Sequence, residues 1–283
     1  MKDFNGFLGE GIETWIKKFR QENKELFDLC VDINRFTHET LSKLIIHSKD
    51  GQKILSSAMF TRIVSQYQSI IILMERGLIN EAKIILRTML DGLFILVAMS
   101  KDRKYVNYYI NDDIEKRKES LNRFSKNPSG NFDDLKKQLP DTEIEKLLQK
   151  IKEEKNARES EGLKLKGRIN TKQWAKLAEL EGLYYRMYSL LNASVHGLSR
   201  ELEQYADVDA TGEIIGMNWG PCIEGIDIAL TTAADLLIIA LVNIHDLFDI
   251  EKSELYEFHR RINDIAIKSQ EMRIIPMSKC IEK

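Results

Sequence analysis

The sequence predicts an all-α fold, a multi-helix bundle that carries a charged helical and loop insertion. Three observations predict it. Only 15 Gly and 4 Pro punctuate 283 residues, whereas sandwiches and barrels need turn chemistry at short, regular intervals. Apolar residues recur at intervals of three and four through long segments. With 43% hydrophobic residues, the chain has material for one large core, or two at most.

Taken in order, residues 12 to 48 place Trp15, Ile16, Phe19, Phe27, Cys30, Val31, Leu41, Leu44 and Ile45 at helical spacing, with Asn34 as a polar break. Asp50–Gly51 stops this pattern. A helix follows from about Lys53 to Arg76, with Gly77 as a C-cap glycine. The next starts near Asn80, whose side chain can cap the amides that follow, and reaches Met99. The short connection makes these two an antiparallel hairpin. Between Ile84 and Met99 the pattern is apolar almost all the way round, which predicts a central, buried helix. Tyr105 to Phe124 continues as helix with a charged surface.

From residue 127 to 170 the character changes to dense mixed charge, read as a solvated arm. Asp141 or Thr142 can cap a short helix there, and Lys164, Lys166 and Arg168 cluster near its end, where an arm contacting RNA would carry them. Order returns at Thr171 with a short helix carrying Trp174, then a longer helix from about Glu181 to Gln204. Asp207–Gly220 reads as a long loop with room for an exposed hairpin. An apolar helix from about Cys222 to Phe248 and an amphipathic one from about Ser253 to Ser269 complete the chain. The organisation is a single domain, 1–283, with N-terminal helices to 126, the insert 127–170 and C-terminal helices from 171.

Composition excludes several function classes. A net charge of -2, from 42 Lys+Arg against 44 Asp+Glu, is not the footprint of a dedicated DNA binder. Cys30, Cys222 and Cys280 are odd in number and far apart, which fits reduced thiols in the cytoplasm and neither a disulfide frame nor a zinc site. The opening residues lack the apolar region of a signal peptide. The most apolar stretch, Ile228 to Ile244, carries Asp235 at its middle, so no membrane span is expected. No HExxH, paired ExxH, GxxxxGK[ST], GxGxxG or GxSxG pattern occurs, and the expectation is a protein without metal or cofactor.

Two features carry candidate chemistry. Arg87 and Asp91 sit four residues apart in the apolar helix, on one face, where guanidinium and carboxylate can pair. Leaving either buried and alone would cost several kcal/mol. In the helix LYYRMYSLLNASVHGLSRELE, the residues Tyr185, Ser189, Asn192, His196 and Ser199 step by four, three, four and three and form one polar stripe, with Tyr188 beside it. Met187, Leu190, Leu191, Ala193, Leu198 and Leu202 are offered to the core. The stripe is rich in hydroxyl, amide and imidazole groups, and it reads as the lining of a pocket between helices. His245 with Asp249 at i+4 reads as a local hydrogen bond.

At these two segments the chain resembles a family of bacterial helical proteins known only as a domain of unknown function. EAKIILRTMLDGLFIL matches its hairpin pattern through Arg87 and Asp91, and YYRMYSLLNASVHG matches its Tyr-rich helix through Tyr185, Tyr188, Ser194 and His196. The resemblance covers roughly residues 55 to 245. Such proteins are similar in outline to HEPN-type bundles, many of them metal-independent ribonucleases of toxin–antitoxin and anti-phage systems. In that group an Arg precedes a His by four to six residues, and two protomers pool these groups at a cleft. Here those positions are Leu190, Leu191 and Asn192, and the nearest upstream arginine is Arg186.

The resemblance implies His196 as general acid or base and Arg87 as the phosphate-stabilising charge. It gives Asp91 the orienting role and lets Tyr185, Tyr188, Asn192 and Ser194 position ligand. RNA is the implied partner and a homo-oligomer the implied assembly. The alternative is a non-catalytic regulatory, scaffolding or small-ligand-binding bundle in which the same residues lock helices together.

Overall fold

The computed structural model describes residues 5–126, 139–163, 167–197 and 202–268. Its described residues are all-α apart from one short hairpin, and the chain divides into two compact units: residues 1–101 with 175–283, and residues 102–174.

The first unit opens with a 3-10 turn, Gly6–Leu8, then α1 (Gly11–Glu22) and α2 (Lys24–Lys43). The periodic segment expected over 12–48 is interrupted at Asn23, whose Nδ2 donates to Phe19 O. It ends at Lys43, which leaves Ile45 exposed. α3 (Gly51–Glu75) starts where the sequence places a stop: Asp50 accepts a hydrogen bond from Lys53 N and caps the new helix. Gly77 closes α3 with φ +72, Leu78 N reaching back to Leu73 O. α4 (Ile79–Lys101) runs back antiparallel.

α8 (Glu181–His196) packs on α4, and Gly197 ends it in the left-handed conformation. It is shorter than the expected 181–204. A second 3-10 turn (Glu203–Tyr205) leads into β1 (Ala206–Val208), antiparallel to β2 (Ile214–Met217), with a bulge at Asp207/Val208. Asp209 Oδ1 holds the hairpin turn by accepting from Thr211 N, Thr211 Oγ1 and Glu213 N.

α9 (Ile226–Phe248) packs against both α3 and α4, and α10 (Ser253–Lys268) covers α9 and α2. α9 is long and apolar enough to cross a membrane by length and composition, and nearly all of it is buried in this unit. The core is built from Phe27, Phe60, Tyr67, Phe94 and the aliphatic faces of α3, α4 and α9. Each such side chain fully removed from water contributes about 1.5–3 kcal/mol. α4 is less uniformly buried than its sequence predicts, because Ile84 and Thr88 face outward and Asp91 and Ile95 are half-buried.

Cys30 lies in the core and burial pushes its thiol up to about 12, so it stays protonated and unreactive. The imidazole of His245, also buried, bonds neither to the Asp249 side chain nor within its helix, while Asp249 N donates to His245 O along the backbone. The imidazole Nδ1 meets Glu251 O at 2.7 Å, which fixes that nitrogen as the donor, and Nε2 accepts from Thr40 Oγ1 at 3.1 Å. Asp249 instead adopts positive φ and terminates α9.

Burial pushes the imidazole of His245 below its usual value, and Lys43 and Lys252 act in the same direction. Below about pH 6.5 the unfolded chain therefore takes a proton that the folded chain refuses, and this part of the stability falls as pH drops. The expected result is a thermal midpoint lower at pH 5 than at pH 7.5, with a smaller pH difference in His245→Gln. Equal pH differences in the two proteins would remove His245 as the cause.

In the second unit α5 (Lys104–Ser125) packs with α6 (Asp141–Ser160), burying Val106, Ile114, Ile144 and Ile151. Neither Asp141 nor Thr142 caps α6; Pro140 holds the N-cap position. The buried carboxylate of Asp112 accepts from Ile169 N and pairs with Lys116 and Arg168. Arg168 also pairs with Glu119. Lys164 and Lys166 lie outside the described residues. The short helix α7 (Thr171–Leu177) carries Trp174, which is buried and meets Tyr109 edge-on.

Candidate functional site

The Arg87–Asp91 spacing becomes an ion pair, Nη1 to Oδ2, on the flank of α4 that faces α8. Burial is unequal: Arg87 is 6% exposed, whereas the Asp91 side chain is 35% exposed. The Tyr188 ring covers the guanidinium, with Cζ 3.7 Å from the ring centroid, close enough for a cation–π contact. Arg87 Nε and Asp91 Oδ1 are buried without a hydrogen-bond partner. The cluster is therefore a charge pair with one donor and one acceptor unfilled, roofed by an aromatic ring.

Sequence reasoning missed Tyr184. It meets Tyr188 at a tilt with centroids 4.5 Å apart and meets Phe94 of α4 at 6.4 Å, so a line of rings runs from the α4 core to Arg87. Its i−4 position relative to Tyr188 is a visible signal, because i and i+4 rings share a helix face.

The polar stripe is not a continuous lining. Tyr185 (60% exposed), Ser189 and His196 face outward, Asn192 is half-buried, and Ser199 lies outside the described residues. Ser194 is buried on the other side. Of the residues offered to the core, Met187, Leu191 and Ala193 are buried, but Leu190 and Leu202 are exposed; Leu198 is outside the described residues. The rotation follows from packing: α8 meets α4 through Tyr184 and Tyr188, which turns the stripe toward its edge.

Thus the structure unites Arg87, Asp91 and Tyr188 and leaves Asn192 and His196 outside that cluster. His196 stands two turns beyond Tyr188, about 12 Å along the axis, and no described contact joins it to Arg87. Its ring makes no hydrogen bond or ion pair with the described residues. Tyr184 beside Phe94 and Tyr188 over Arg87 show that α8 runs antiparallel to α4. His196 therefore lies toward the end of the pair where α4 begins. Among the described residues, no group of His, Cys, Asp and Glu is placed to hold a metal ion.

Residues 53–214, more than half of the chain, match the family described as "Family of unknown function (DUF5677)". No curated protein and no solved structure matches.

Proposed function

We propose, for a chain that belongs to the DUF5677 family, that it is a metal-independent ribonuclease with His196 as its proton-transfer group. The observation that carries this reading is the placement of His196: exposed, with its ring unengaged by described residues, at the end of α8. An imidazole is the side chain most often used for such proton transfer.

Neutral His196 takes the proton of an RNA 2′-hydroxyl, and the 2′-oxygen attacks the adjacent phosphorus. The bond to the 5′-oxygen breaks, and that oxygen takes a proton from water. The products are a 2′,3′-cyclic phosphate and a 5′-hydroxyl. Arg87, held by Asp91 and Tyr188, acts as a positioning residue that fixes α8 on α4 and so presents His196. The developing phosphate charge is met by Arg186 of a second copy, which makes the active species a homo-oligomer. As a toxin or phage-defence enzyme it would work on RNA in the cytoplasm.

Burial of Arg87 beneath Tyr188 favours a second reading, a non-catalytic bundle in which this cluster only locks two helices. Cleavage of structured and unstructured RNA in EDTA separates the two. The expected result is cleavage by the wild type and a loss of about 100-fold or more in His196→Ala, with the variant's melting curve unchanged. A folded wild type that cleaves neither RNA leaves the second reading standing.

A further inference from the structure

A second site lies where α4 begins. Asn80 does not cap its own helix: its Nδ2 donates to Tyr205 Oη at 2.6 Å, and its Oδ1 is buried with no hydrogen-bond partner. Asn80 and Tyr205 line a cavity of about 230 Å3, together with Asn218, Trp219 and Cys222. The wall is held in place from several directions. Cys222 N donates to Gly77 O, Asn218 N to Tyr205 O, and Gly220 N to Asn218 Oδ1. Trp219, on a loop rather than in the core, is 70% exposed while lining this space.

We infer that this cavity is a nucleobase subsite, which takes an unstacked base carrying an exocyclic amine. Three features select that chemistry. The volume exceeds the roughly 150 Å3 that holds a benzene ring, so a one- or two-ring heterocycle fits while its sugar and phosphate stay outside. An exposed indole beside a tyrosine is a platform on which any base can stack. The unfilled Asn80 Oδ1, on a residue that lines the cavity, is an acceptor that a ligand N–H can satisfy, and the amine of adenine or cytosine supplies one. Among the described residues the only charged side chain in the wall is Glu81, so they offer a phosphate no cation.

The site lies at the end of the α4–α8 pair where α4 begins, the end toward which His196 lies, and naming RNA as a source of the base rests on the ribonuclease reading. Binding and cleavage are read separately, so the two ideas fail separately.

The test uses the full chain with adenosine, cytidine, purine riboside (which lacks the exocyclic amine) and a single-stranded 2′-deoxyadenylate oligomer that has no 2′-hydroxyl to cleave. The readouts are tryptophan fluorescence and alkylation of Cys222 followed by mass spectrometry. The expected result is saturable quenching by adenosine or cytidine with protection of Cys222. Purine riboside should bind at least tenfold more weakly, and Trp219→Ala should lose the binding without a change in melting temperature. An oligomer bound tenfold or more tightly than the nucleoside identifies a nucleic-acid strand as the source, and equal affinities identify the free nucleoside. Absence of saturation at millimolar nucleoside, or unchanged affinity in Trp219→Ala, overturns the inference.

Discussion

Replacing Asp91 with alanine is expected to destabilise the protein by about 3 kcal/mol, a fall of roughly 6–12 °C in the melting temperature of a unit of this size. The cost does not come from the lost carboxylate, which is partly in water. It comes from Arg87, whose guanidinium is nearly buried and would lose its only ionic partner among the described residues. Tyr188 offsets part of the loss, since a ring face at 3.7 Å still attracts the cation. The double variant Arg87→Met with Asp91→Leu should lie within about 1 kcal/mol of the wild type, because two apolar side chains of similar size leave no stranded charge. Thermal or urea unfolding of the three proteins checks this. If Asp91→Ala costs less than about 1 kcal/mol, the pair does not hold α4 and α8 together.

Gly77→Ala should cost a similar amount, about 3 kcal/mol, for two reasons that add. At φ +72 a side chain is strained by about 1–2 kcal/mol. Its Cβ would also stand 2.6 Å from Pro221 Cβ and 2.8 Å from Pro221 Cα, and relieving such overpacking costs about 1–3 kcal/mol. Gly197 supplies the control. Its φ is +56 but a Cβ there meets nothing within 4 Å among the described residues, so Gly197→Ala should carry mainly the backbone strain. The difference between the two variants measures the contact between the α3–α4 turn and the 218–222 loop. Equal costs would show that the loop moves aside freely.

Much of the fold was legible because it is local. Few glycines and prolines, together with periodic apolar residues, were enough to place α3, α4, α9 and α10 to within a few residues. Gly77 was recognisable as a cap because a helix end needs a residue that accepts positive φ. Arg87 and Asp91 were readable as a pair because i and i+4 meet on any helix, whatever surrounds it. Asn80 was misread for a related reason: a polar residue at a helix start usually caps it, and here the stronger partner is Tyr205, 125 residues away.

The sequence by itself determined the helices, their approximate ends and the pairs of side chains that share a helix face, because those follow from 3.6 residues per turn within one segment. Only the tertiary structure decided which face of α8 meets α4, and with it that Tyr188 covers Arg87 while His196 points away. It alone joined His245 to Thr40 and Asn80 to Tyr205. Such contacts depend on how distant segments rotate and cross when their apolar faces are buried together, and spacing along the chain does not encode that rotation.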